Sequence, residues 1–125
     1  MAVSKPMQRL LALTGAGNST TPIFQNREWW LDGLGFKEIT IDLLLLQNKA
    51  SAGTAILGFE TSISQEGPWT TLATYGAGYT HSLLHMTARE GGTTKFERYV
   101  RWKLDRSDGA LANWETCFRI CATMT

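Results

Sequence analysis

The 125-residue sequence predicts an all-β protein, an antiparallel β-sandwich or jelly roll of about seven or eight strands behind an extended N-terminal arm. Three observations predict it. Apolar and polar residues alternate with period two in short segments from Phe36 onward. Turn-forming residues punctuate those segments about every 8–12 positions. No stretch carries the periodicity of a long helix, and sixteen threonines suit the wet face of strands.

The elements follow in order. Residues 1–25 contain Pro6 and then Thr14-Gly15-Ala16-Gly17-Asn18-Ser19-Thr20-Thr21-Pro22, small turn-forming residues that read as an arm or linker. Residues 8–13 could form one helical turn, too short to stand alone. Such an arm orders against a neighbour or frays. The sandwich is assigned to residues 26–125. Ile39, Ile41, Leu43 and Leu45 alternate with Glu38, Thr40 and Asp42, and Leu44 and Leu46 make the end of that strand apolar on both faces. Leu57, Phe59, Thr61 and Ile63 share one face of the next strand. Gln65-Glu66-Gly67-Pro68 turns the chain into residues 69–75. Further strands cover residues 79–87, 96–104 and 113–124, separated by Glu90-Gly91-Gly92 and Arg106-Ser107-Asp108-Gly109.

Composition excludes several classes. Twelve Lys+Arg against eleven Asp+Glu leave a net charge of +1, so no nucleic acid or anionic membrane is implied as a partner. The apolar run at residues 43–46 is far below the roughly 20 residues of a membrane span. Residues 1–13 lack the continuous apolar core of a secretory signal, which predicts synthesis and retention in the cytoplasm. Cys117 and Cys121, four apart on a strand, lie roughly 13 Å from each other, beyond disulfide reach, and read as reduced, mostly buried thiols.

Candidate chemistry is sparse. His81 and His85 would likewise sit roughly 13 Å apart on one strand, too far to share a metal. Asp105, Asp108 and Gly109 lack the oxygen ladder of a calcium loop. Gly15-Ala16-Gly17 follows no hydrophobic strand and precedes no lysine, so it is not a phosphate loop, and no Gly-x-Ser-x-Gly elbow occurs. No catalytic residue, metal or cofactor is therefore expected, and a non-enzymatic role is. The aromatic residues say more. Trp29 and Trp30 are adjacent, so in an extended segment one enters the core and the other is left for a partner. Trp102 alternates with Val100 and Leu104 as core, while Trp69 and Trp114 begin strands and cap the ends of the sandwich. Tyr99, Arg101 and Lys103 form the opposite face of the Trp102 strand. That face could meet an acidic partner or a sugar, or pair with Glu60, Glu97 or Glu115. Trp29, Trp30, Tyr99 and Arg101 are the expected interface residues.

Phe59-Glu60-Thr61-Ser62-Ile63-Ser64, then Glu66-Gly67-Pro68-Trp69-Thr70-Thr71-Leu72, and later Arg98-Tyr99-Val100-Arg101-Trp102 resemble discoidin-type, galactose-binding-like jelly rolls. The resemblance spans roughly residues 55–124 and implies the fold; its motifs are structural, so no ligand residue carries over. The turn residue is Glu66 where that family commonly has Asp. The short Thr- and Gly-rich sandwich with its polar arm also resembles small bacteriophage virion proteins. That likeness implies a decoration or head–tail accessory subunit, contacting copies of itself or other virion proteins. A discoidin-type module binding a glycan is the alternative.

Overall fold

The computed structural model describes residues 2–17, 22–50, 54–76, 82–107 and 112–125. Nine strands form two antiparallel sheets, and the helical content among the described residues is a single 3-10 turn, Arg27–Trp29. The strands are β1 (Val3–Gly17), β2 (Ile23–Phe24), β3 (Leu31–Asp32), β4 (Glu38–Ala50), β5 (Thr54–Ser62), β6 (Thr70–Tyr75), β7 (Ser82–Arg89), β8 (Tyr99–Ser107) and β9 (Ala112–Met124). One sheet runs β1-β9-β4-β7 and the other β2-β8-β5-β6, with β3 also paired to β8.

Period-two alternation builds the core. Ile39, Ile41, Leu43 and Leu45 of β4 meet Phe118, Ile120, Ala122 and Met124 of β9 from one sheet. Leu57 and Phe59 of β5 with Val100, Trp102 and Leu104 of β8 come from the other. The Trp102 and Phe118 rings meet edge-to-face across the two sheets, 5.1 Å between centroids.

Register shifts decide what alternation alone does not. Near the end of β4 the pairing with β9 slips between Leu45 and Gln47, which turns Asn48 inward. There its Nδ2 donates to the carbonyls of Ala55 (3.3 Å) and Gly76 (3.1 Å), and its Oδ1 accepts from Thr116 (3.2 Å). A second slip between Pro6 and Gln8 in β1 swings Met7 into the core, where it is fully buried.

The N-terminal residues are the main correction. They are extended, but they do not wait for a neighbour: β1 pairs with β9 from Val3↔Met124 to Gly17↔Ala112. The helical turn considered for residues 8–13 does not form. Gly15 is no linker residue either, because it lies opposite Trp114, whose buried indole packs flat over the missing side chain. A Cβ at Gly15 would stand 2.6 Å from Trp114 Cε2. Gly15→Ala is therefore expected to destabilise the fold by about 1–3 kcal/mol, read as a lowered urea midpoint. An unchanged midpoint would show that the indole moves away freely.

Smaller corrections follow from strand ends and parity. The expected sandwich of about seven or eight strands is present; among the described residues the strands number nine, because β1 joins the sheet and β2 and β3 are two-residue pieces. β5 stops at Ser62, so Ile63 leaves the core face and is exposed. Trp114, the third residue of β9, is buried core opposite Gly15 and Ala50, near the ends of β1 and β4. Phe118, Ile120 and Ala122 take the inner face of β9, which leaves Cys117 half-buried and Cys121 exposed instead of buried; both are free thiols.

Candidate functional site

The segment from β2 to β3 owes its shape to Gln25. This side chain is 2% exposed. Its Nε2 donates to the carbonyls of Met7 (2.7 Å) and Trp29 (2.8 Å), and its Oε1 accepts from the Trp102 amide (3.1 Å). Its carbonyl accepts from Trp30 Nε1 (3.1 Å), and its amide donates to Trp102 O (3.2 Å). One residue so ties the β1 bulge, the 3-10 turn and β8 together, closing the sandwich on that side. Trp102 Nε1, donating to Gln8 Oε1 at 3.0 Å, adds to the closure. Asn26 caps the 3-10 turn through its side chain and the Glu28 amide.

On this frame neither of the paired tryptophans enters the core, a departure from the expected partition, because Trp29 ends a 3-10 turn instead of lying in an extended segment. Trp29 is 47% exposed, with the Arg9 guanidinium 5.9 Å from its ring. Two shallow hollows flank it, one of about 170 Å³ toward Met7, Gln8 and Arg9, the other of about 220 Å³ toward Lys5 and Pro6. Leu10, at the second slip in β1, and Phe24, in β2, are also exposed. Trp30 is half-buried and packs edge-to-face on Trp69, 5.0 Å between centroids.

Arg101 sits at the centre of an aromatic cage. Its guanidinium lies 3.8 Å from the Trp69 ring centroid, 4.2 Å from Phe24 and 5.1 Å from Trp30. It forms an ion pair with Glu60 on β5 at 2.6 Å, and the two side chains are only 12% and 10% exposed. Of the two roles open to the β8 outer face, Arg101 takes the pairing with Glu60. Lys103 pairs with Asp105 at 3.3 Å. Tyr99 lies beneath Arg98, 5.0 Å from the guanidinium.

Of the four expected interface residues, Trp30 and Arg101 thus share one cluster. Trp29 stands beside it, accessible, and Tyr99 sits along the same strand. Gln25, Phe24 and Trp69 complete the assembly and were absent from that set. Gln25 could not be picked from the chain, because the partners that bury its side chain, Met7 and Trp102, lie 18 and 77 positions away in sequence.

Elsewhere the charges pair locally. Arg98 reaches Asp32 through Nε and Nη2, both at 3.1 Å, and that hydrogen bonding holds the Asp32 carboxyl below its ordinary range. Arg89 meets Glu38 at 2.7 Å, Arg27 meets Glu66 at 3.3 Å, and His85 pairs with Asp42. His81, Asp108 and Gly109 lie outside the described residues. Among the described residues no group of three or more His, Cys, Asp or Glu could hold a metal ion. No described helix is long and apolar enough to cross a membrane.

The fold defines a class, a two-sheet antiparallel sandwich of jelly-roll type. No family model matches the sequence, and no curated protein does. Solved structures do share the fold. The infectious bursal disease virus VP2 subviral particle aligns with 99% of this chain at a TM-score of 0.57 and 12% identity. The PBSX exported protein XepA aligns with 98% of it at 0.51 and 17% identity. The chain spans about a third of the length of each, 32% and 36%. At such identities the likeness is one of fold.

Proposed function

We propose that this chain is a non-enzymatic structural subunit of a bacteriophage virion, a capsid decoration or head–tail accessory protein that acts through protein contacts. The observation that carries this reading is the exposed Trp29, held on backbone that the buried Gln25 immobilises, with Leu10 and Phe24 also exposed. A large aromatic side chain on a rigid mount loses little entropy when a partner covers it, which is how interface hot spots are built. The fold shared with VP2 of a subviral particle and with a PBSX exported protein supports the same reading.

The test is light scattering of the purified chain between about 1 and 100 µM. Association beyond the monomer is expected, alone or with isolated virion proteins. Trp29→Ala is expected to weaken it about 30-fold, the loss of a 2 kcal/mol hot spot, while the far-UV spectrum stays unchanged. A monodisperse monomer that binds no virion component would defeat the proposal.

A discoidin-type carbohydrate-binding module is the second reading. The feature that supports it is the Glu66–Trp69 turn. Gly67 adopts φ +94°, and a Cβ there would stand 3.0 Å from the Trp69 ring. Binding of a glycan array by a stable monomer would establish it.

A further inference from the structure

Arg27, Arg89, Arg98 and Arg101 each hold a carboxylate of their own chain. Two groups of three charges have no ion pair among the described residues. Lys5, Arg9 and Glu28 line the hollows beside Trp29. Lys37, Glu90 and Glu97 line a third hollow, of about 450 Å³, where the β3–β4 and β7–β8 connections meet.

That third hollow is apolar at its centre and fixed at its walls. Leu34, 67% exposed, and the half-buried rings of Phe36 and Phe96 supply the apolar lining. The Gly33 amide donates to the Arg98 carbonyl (2.6 Å), and the Glu90 amide donates to the Lys37 carbonyl (2.8 Å). Asp32, gripped by the Arg98 side chain, accepts from the Leu34 amide at 3.1 Å. Pockets of about 300–1,000 Å³ take bulky groups, and this hollow falls in that range. Those beside Trp29, about 170 and 220 Å³, fall below it. Trp29 is therefore the inserting side of a contact and the third hollow a receiving one.

We propose that Trp29 of one copy of this chain enters the hollow of a second copy. The indole then lies against Leu34, Phe36 and Phe96, apolar and aromatic surface that favours it. The charges around the two sites match in number and opposite sign. Lys5 and Arg9 are answered by Glu90 and Glu97, and Glu28 is answered by Lys37. Arg98, the remaining charge of the hollow, is already held by Asp32. A second copy is the favoured occupant because the chain carries both halves of this match, and complementary charge selects a partner more sharply than apolar cover does. Both halves are also set before contact, Trp29 by Gln25 and the hollow by its own hydrogen bonds, so little ordering is left for binding. β3, paired to β8 between the two sites, keeps Trp29 from the hollow of its own chain.

This contact rests on the assembly reading and names its two surfaces, and the test separates them. Trp29→Ala disables the inserting side and leaves the hollow intact. Leu34→Lys with Glu90→Lys, both at exposed positions, disables the hollow and leaves Trp29 intact. By light scattering each variant alone should associate at least about tenfold more weakly than the wild type, with an unchanged far-UV spectrum. Mixed in equal amounts, the two should form a dimer, because an intact Trp29 then meets an intact hollow. Lys5→Glu with Arg9→Glu should also weaken association about tenfold, and adding Glu90→Lys and Glu97→Lys to the same chain should restore it to within about threefold. A mixture no more associated than its components, or reversals that do not rescue each other in a natively folded chain, overturns the pairing. Where Trp29→Ala still weakens association, the assembly reading then stands with another surface as partner. A wild-type chain that stays monomeric yet binds isolated virion proteins overturns the pairing alone, and one that does neither overturns both.

Discussion

Gln25→Leu should lower the unfolding free energy by about 4 kcal/mol, the largest effect expected of any single polar residue here. The substitution nearly conserves volume and removes no charge, so the loss reports hydrogen bonding alone. It orphans the carbonyls of Met7 and Trp29 and the amide of Trp102, buried or half-buried groups with about 1–3 kcal/mol at stake in each. A small domain holds about 5–15 kcal/mol in all, so the variant should unfold at a much lower urea concentration. It should also free residues 2–17 to proteases, since the Gln25 bond to Met7 helps to fasten β1 across the sandwich. A loss below about 1 kcal/mol would mean that water replaces the side chain, and the closure would then rest on Met7 and Trp102 packing alone.

Arg101→Ala should cost about 3 kcal/mol, and the cost should nearly vanish in the double variant Arg101→Met, Glu60→Leu. The single change strands the Glu60 carboxylate in a site only 10% exposed and removes the guanidinium from between Trp69 and Phe24. Breaking a buried pair from one side typically costs 3–5 kcal/mol, whereas replacing both partners by apolar groups is often neutral. Thermal unfolding of Arg101→Met, Glu60→Leu and the double variant closes the cycle. If Arg101→Ala instead left stability intact and abolished association, the cage would be a docking site and not a strut.

Much of the fold was legible because period-two burial is written in neighbouring residues. Ile39 to Leu45, the Val100-Trp102-Leu104 face and the Gly67 turn all announce themselves locally, whereas the expected entry of one of the paired tryptophans into the core fails because the 3-10 turn breaks the extended run. The role of β1 was hidden for an equally physical reason. Gly15-Ala16-Gly17 has the composition of a linker, and only Trp114, about a hundred positions on, makes a glycine there a packing requirement. Asn48 and Met7 face inward because single-residue slips reverse parity, and a slip is settled by the partner strand. The candidate site divides likewise. That a tryptophan of the adjacent pair would be exposed could be read from the chain, but not that it would be Trp29, and Gln25, Phe24 and Trp69 join it only through contacts between distant segments.

Local spacing of side chains, then, determined the two-layer β architecture, most of the core and the expectation of a surface tryptophan. Tertiary structure alone decided which strands became edges and which polar residues were buried as fasteners. Each of those outcomes is set by pairing across long sequence separations, where the energy belongs to the contact and to neither segment by itself.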